Sequence, residues 1–305
     1  MITEILKALL IGIVEGITEW LPISSTGHMI LVDEFVHLQV SDDFLKLFLV
    51  VIQIGAILAV IIMYFEKLNP FSSHKTYEQQ SDTWHLWGMV IVGCIPAAVI
   101  GFALDDWVNE HFYNKVVVAL MLIVYGIAFI VIERHNKVKL HRAAKVRASY
   151  THHRPSADEV DAMLFKVSRV EDIDWKTALK IGLFQCLAIV PGTSRSGATI
   201  IGGMLCGCSR TAAAEFTFFL AIPVMLGWGL VKAVKFVMAG IAMSLTEVAV
   251  LVVGVVTAFV MSIVAIRFLM SYIKTNDFAV FGWYRIVVGI IVLVYFAGEM
   301  AGILP

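Results

Sequence analysis

The sequence predicts an all-α polytopic membrane protein with six transmembrane helices and two re-entrant helix pairs in inverted-topology repeats. Three observations carry this. Of 305 residues, 59% are hydrophobic and only 15% charged, with a mean hydropathy of +0.86. A soluble domain carries about 25% charged residues, so this chain has too few charges to cover a water-facing surface. Six apolar runs are each long enough to cross a bilayer, which takes roughly 20 residues. Two further apolar stretches are broken midway by polar residues, the pattern of chain that enters the membrane and turns back.

The spans fall at about 44–65, 85–104, 116–133, 211–233, 247–270 and 284–304. The interrupted stretches are 5–31 and 177–205. Glu15, Glu19, Pro22 and the run Ser24-Ser25-Thr26-Gly27-His28 break the first. Pro191 and the run Gly192-Thr193-Ser194-Arg195-Ser196-Gly197 break the second. A polar segment at about 134–176 separates two halves of one membrane domain covering 1–305, about 1–133 and 177–305. Arg134, Lys137, Lys139, Arg142, Lys145, Arg147 and Arg154 fill its first part. Positive loops stay in the cytoplasm, and contact with anionic lipid suits such a run. With this segment inside, the loops near Lys67 and Lys75 and near Lys274 and Arg285 also fall inside. The loop with Asp105, Asp106 and Glu110 falls outside, as do both termini if the interrupted stretches re-enter.

An internal repeat supports this topology. Ala8 to Glu15 aligns with Ala178 to Gln185; Pro22 is set against Pro191, and Ser25-Thr26-Gly27 against Ser194 to Gly197 with one residue lost between. One stretch enters from outside and the other from the cytoplasm, so the halves are expected to be inverted repeats with broken helices meeting near the midplane. A net charge of −1 gives no global field for nucleic acid. Cys94, Cys186, Cys206 and Cys208 lie in or beside apolar runs without a CxxC pair, which suits reduced thiols better than a disulfide framework or a metal site. No small-residue cleavage site follows a short apolar core, so no removable signal peptide is expected.

The polar breaks carry the chemistry. Glu15 and Glu19 are four residues apart and share a helix face. Each charge at mid-membrane costs about 2.5–3.5 kcal/mol, so the pair calls for a cation or a proton between them. Mg²⁺ and Ca²⁺ take carboxylate oxygens, and Mg²⁺ commonly bridges carboxylates to substrate phosphates. Ser24, Thr26 and Gly27 make a hydroxyl and glycine cradle whose backbone N–H groups suit an anion. His28, three residues after Ser25, can serve as base, as acid or as phosphoryl acceptor. In the second break, Arg195 fits phosphate bidentately and keeps its charge, flanked by Ser194, Ser196, Gly197 and Thr199. Glu215 suits either a supporting acid or a helix interface.

Glu15 to His28 and Pro191 to Thr199 resemble the two signature motifs of the undecaprenyl-diphosphate phosphatase, or bacitracin-resistance, family. Gln53-Ile54-Gly55, Pro96-Ala97 and Tyr284-Arg285 fit it too, and the likeness covers nearly the whole chain; the 134–176 segment is longer than the family needs. The resemblance implies hydrolysis of undecaprenyl diphosphate to undecaprenyl phosphate and inorganic phosphate, which recycles the lipid carrier of cell-wall glycans. It implies a site open to the outer face of the bacterial cytoplasmic membrane, bacitracin resistance, and Glu15, Glu19, Ser25, His28 and Arg195 as functional residues. In the role this gives them, Glu15 and Glu19 hold Mg²⁺ or Ca²⁺, while Glu19, Ser25, His28 and Arg195 act in catalysis. Ser24, Thr26, Gly27, Ser194, Ser196, Gly197 and Thr199 bind substrate. Expected partners are the prenyl diphosphate and membrane lipid; self-association into a homodimer is left open.

Two rivals are weighed. An inverted-repeat transporter or flippase of a phosphorylated lipid shares the fold logic but does not require a hydroxyl–histidine set beside an acid pair. A type 2 phosphatidic acid phosphatase needs an aspartate where Ala157 stands, after Arg147 and His153, and is rejected.

Overall fold

A computed structural model describes residues 1–112, 114–151, 165–240 and 243–302. The described residues are helical apart from turns and one isolated parallel bridge, Val167 to Cys208. The elements are α1 (Ile2–Thr18), α2 (Ser25–Phe35), α3 (Asp42–Met63), α4 (Phe65–Leu68), α5 (Tyr77–Phe112), α6 (Lys115–Thr151), α7 (Trp175–Cys186), α8 (Arg195–Leu205), α9 (Arg210–Met238), α10 (Leu245–Tyr272) and α11 (Ala279–Met300). Six of them, α3, α5, α6, α9, α10 and α11, are long and apolar enough to cross a membrane. Their starts are written in the sequence. Ser41, Ser209 and Ser244 accept N–H bonds from the first turns of α3, α9 and α10, and Ser244 with Glu247 completes a capping box.

Two expectations need correction, and one alternative left open is decided. The polar segment expected from 134 is not a loop at its start, because α6 continues to Thr151. No glycine or proline stands between Gly126 and Pro155, so nothing in the chain stops the helix. Arg134, Lys137, Lys139, Arg142, Lys145 and Arg147 therefore ride on a helical extension, Lys137 pairs with Asp277 at 2.5 Å, and Arg154 lies outside the described residues. His153 and Ala157 lie outside the described residues. Arg285, read at the start of the last span and as a charge marking the adjoining cytoplasmic loop, is instead fully buried within α11. Glu215 belongs to a helix interface. It accepts from Lys67 at 2.6 Å, while Lys67 also pairs with Glu171 at 2.8 Å. Burial pushes the Lys67 ammonium down, yet the two carboxylates hold it above the ordinary lysine value.

The helices pack in close pairs. α1 lies against α10, as α7 lies against α5, and α6 lies against α11. Glycine makes each approach possible. A Cβ on Gly12 would sit 2.7 Å from the Gly254 carbonyl oxygen, and one on Gly182 would collide with the Gly93 carbonyl. Gly126 and Gly282 face each other reciprocally, and a Cβ on either would sit 2.6 Å from the other's oxygen. Between these pairs lies the main core, built on Trp20, Phe129, Phe216, Phe218 and Phe219. Gly182→Ala is therefore expected to cost about 1–3 kcal/mol by overpacking against backbone. Thermal unfolding in detergent checks this. Gly88→Ala, where no atom lies within 4 Å, should leave the midpoint unchanged or raise it.

Candidate active site

Each interrupted stretch folds as helix, loop and second helix. α1 ends at Thr18, and Pro22, which has no N–H to give, follows in the loop. α7 ends at Cys186, followed by a single 3-10 turn at Leu187–Ile189 and Gly192 at φ +89°. The helices after the loops are alike. Both are 11 residues long and begin after a serine held at positive φ, 77° at Ser24 and 71° at Ser194. These are the only such non-glycine residues among those described. Left-handed backbone costs a non-glycine residue about 1–3 kcal/mol. Each serine sets against that cost a cap, accepting from Gly27 N at 3.3 Å or Gly197 N at 3.1 Å.

These matched caps correct the repeat's register. Ser24 corresponds to Ser194 and Gly27 to Gly197 at the same spacing that relates Ala8 to Ala178 and Glu15 to Gln185, so no residue is lost. The prolines are out of step by one. Ser25 therefore occupies the place of Arg195, and His28 that of Ala198. The two stretches share a scaffold and carry different chemistry on it.

The structure brings the charged residues of both motifs together. The Arg195 Nη2 donates to Glu19 Oε1 at 3.0 Å, and its Nη1 donates to the Thr217 carbonyl at 3.1 Å. The Ser25 hydroxyl donates to Glu19 Oε2 at 2.7 Å. Glu19 thus stands between the hydroxyl of one motif and the guanidinium of the other. Glu15 is buried one turn earlier with Glu19 and Arg195 as charged neighbours, and its Oε1 has no partner.

His28 does not bond Ser25. Its Nδ1 lies 2.7 Å from the Ser24 carbonyl, which only accepts, so this nitrogen carries a proton. Its Nε2 lies 2.8 Å from the Tyr284 hydroxyl. The other hydroxyls turn inward. Ser196 donates to the Leu21 carbonyl at 3.3 Å and sits 3.1 Å from the Ser194 oxygen. Thr199 donates within α8 and accepts from Thr217 at 2.8 Å. Thr26 lines an apolar cavity beside the loop.

Arg285 holds the two loops together. From α11 it donates to Pro22 O at 3.1 Å, Gly192 O at 3.0 Å and Thr193 O at 2.9 Å, and reaches Leu122 O and Met121 O at 3.4 Å. Sequence reasoning gave Tyr284 and Arg285 no place at the site. A lone cation inside an apolar span, the signal used for Arg195, was available for Arg285. Gln185 was missed too. It is buried at the position matching Glu15, and neither amide atom has a partner; Trp20 Nε1 is also buried without one. Buried polar groups are normally paired with protein or water, so their concentration around these loops suits a site that receives a polar guest.

The chain resembles known proteins along nearly all its length. It is 52% identical over 289 residues to an undecaprenyl-diphosphatase of Enterococcus faecalis, covering 95% of this chain and 96% of the relative. It is 53% identical over 299 residues to the undecaprenyl-diphosphatase of Desulfitobacterium hafniense, covering 98% of each. A Streptococcus thermophilus undecaprenyl-diphosphatase is 53% identical over 299 residues, 98% of this chain and 96% of the relative. The family described as bacitracin resistance protein BacA matches residues 8–291. That match runs through both loops and reaches into α11, and the chain belongs to the BacA bacitracin resistance protein family.

Proposed function

We propose that this chain is a membrane phosphatase that hydrolyses undecaprenyl diphosphate to undecaprenyl phosphate and inorganic phosphate. The observation that carries the reading is Glu19, bonded at once to the Ser25 hydroxyl and to Arg195. A phosphoryl transfer needs an activated oxygen beside a cation that holds the transferred group, and this arrangement offers both. The relatives' names point the same way. Phosphate release from a long-chain prenyl diphosphate by purified protein tests it. A transporter or flippase on the same fold predicts lipid flux in liposomes without phosphate release.

In this reading Arg195 turns from Glu19 toward the terminal phosphate, and the loop N–H groups add to the hold. Glu19, freed from the guanidinium, takes the proton of Ser25 or of a water as oxygen attacks phosphorus. The anhydride P–O bond breaks, and undecaprenyl phosphate leaves as the anion. Attack by Ser25 adds a second step, in which water releases phosphate from the serine. The Ser25–Glu19 bond favours Ser25 over His28 as the attacking group, since the His28 Nε2 faces Tyr284. Ser25→Ala is then expected to lower turnover about 10²–10⁴-fold, the usual worth of a positioned proton-transfer or nucleophile pair. Substantial retained turnover would move the attack to water or His28.

The donor set suits a divalent cation in part. Glu15 has a buried oxygen with no partner next to Glu19, yet the described residues hold no group of three or more metal-ligating side chains. Glu15 and Glu19 would hold Mg²⁺ or Ca²⁺ together with phosphate oxygens and water. When bound, the ion would neutralise diphosphate charge and help the leaving group. Glu19→Gln keeps the shape and removes the charge, so it should abolish turnover or strongly raise the metal concentration needed, read from a Mg²⁺ titration of phosphate release.

The matched loops and caps support two re-entrant helix pairs in inverted repeats, with α1–α2 and α7–α8 meeting inside the membrane. The cationic run on α6 supports a cytoplasmic segment there, and hence a site opening to the outer face of the bacterial inner membrane. Recycling of the lipid carrier for peptidoglycan and other cell-wall glycans, and bacitracin resistance, are the expected consequences.

A further inference from the structure

The two loop and helix units are built alike but not sheathed alike. α8 is buried from Ser196 to Met204. Gly202 lets it close on Phe184 of α7, and Gly203 lets it close on Ala213 of α9. α2 has the same length, yet Gly27 is its only buried residue among those with described side chains. Val32 stands where α8 has Gly202, so this helix cannot settle as closely on its neighbour. The backbones of α8 and α9 pack together much more closely than those of α2 and α3. A cavity of about 120 Å³ opens between α2 and α3, lined by Thr26, Met29, Val32, Leu38, Leu45 and Leu49. Thr26 is its one polar residue, and it adjoins Ser25.

We propose that this seam between α2 and α3 receives the first isoprenyl units of the substrate's tail, next to the diphosphate. The proposal rests on the phosphatase reading. A diphosphate whose terminal phosphate sits on Arg195 and Ser25 carries its prenyl chain on the other phosphate. The chain must leave the polar site through apolar surface, because each buried CH₂ is worth about 0.8 kcal/mol. The seam begins one residue from Ser25, and neighbouring Cα atoms are about 3.8 Å apart. It is otherwise wholly apolar. The matching route in the second half is closed by Gly202 and Gly203. The tail therefore leaves on the α2–α3 side, and the remaining isoprenyl units lie in the bilayer.

The test is photocrosslinking of the purified full-length protein with a C55 prenyl diphosphate that carries a diazirine near its diphosphate end. Labelled residues are identified by mass spectrometry, and phosphate release is assayed in parallel. The expected labels are on Met29, Leu45 and Leu49, and unlabelled prenyl diphosphate suppresses them. Leu49→Trp should raise KM for the C55 substrate about tenfold, the equivalent of losing roughly two buried methylenes, with kcat within about twofold. Val99→Trp, on the exposed face of α5, should change neither. Labels on α8, α9 or the exposed face of α5 would overturn the proposal. So would seam labels that unlabelled substrate does not suppress, which would mark a site for membrane acyl chains. Phosphate release with labels elsewhere rejects the seam alone. Suppressible seam labels without phosphate release reject the phosphatase reading and leave a prenyl diphosphate binding seam.

Discussion

Arg195→Ala is expected to lower phosphate release from a prenyl diphosphate by about 10³-fold or more while the protein still folds and inserts. The guanidinium makes two kinds of contact, one to the Glu19 carboxylate at 3.0 Å and one to the Thr217 carbonyl at 3.1 Å. The first links the two motifs, but Arg285 and Ser196 also tie the loops together, so its loss leaves the scaffold in place. Removing one oxyanion donor from an active site costs about 10²–10³ in rate, and a transition-state arginine is worth about 10³–10⁵. Arg195 here combines such a charge with a second duty. With it gone, Glu19 keeps its bond from Ser25 but loses the guanidinium that fixes its other oxygen. The site then loses its phosphate clamp and the partner that orients its base. Arg195→Lys should recover little, because an ammonium is a point charge without the planar fork. Near-normal turnover in the alanine variant, with the wild-type thermal midpoint, would remove Arg195 from the proposed clamp.

Much of this site was legible because membranes make polar residues expensive. Glu19, Ser25 and Arg195 stood out as polar groups in apolar stretches, and the structure joins them by hydrogen bonds. The six long helices were legible for the same reason. What escaped was whatever depended on direction. Periodicity cannot tell that His28 points to Tyr284 on a helix distant in sequence. It cannot tell that Ser194, Ser196 and Thr199 spend their hydroxyls on internal bonds. The repeat was visible, but the prolines pulled its register one residue out of step. The serine caps at positive φ, which residue identity alone does not announce, correct it. The extension of α6 was missed because charge was taken for loop, although an uninterrupted run of helix-forming residues was there to see.

Arg285→Met should be the most damaging change to folding, with an expected loss of at least about 3–5 kcal/mol. The side chain is fully buried and accepted by the carbonyls of Pro22, Gly192 and Thr193 at 3.1 Å or less, with Leu122 and Met121 at longer range. Methionine nearly fills the volume but donates nothing, so three well-bonded carbonyls from two different loops lose their partner in the interior. Each unsatisfied group costs about 1–3 kcal/mol. The variant should accumulate poorly in membranes and unfold at a much lower temperature in detergent. Arg285→Lys separates support from charge. An ammonium has three donors against the guanidinium's five, so it can serve one loop well and the other badly. It should fold with a lowered thermal midpoint and turn over slowly, because the Ser25 and Arg195 sides of the site are then held less firmly against each other. A methionine variant with an unchanged midpoint would show that the loops hold themselves in place. The two arginines thus divide the work. Arg195 can be lost at the expense of chemistry with the fold retained, whereas losing Arg285 takes away the frame on which that chemistry is set.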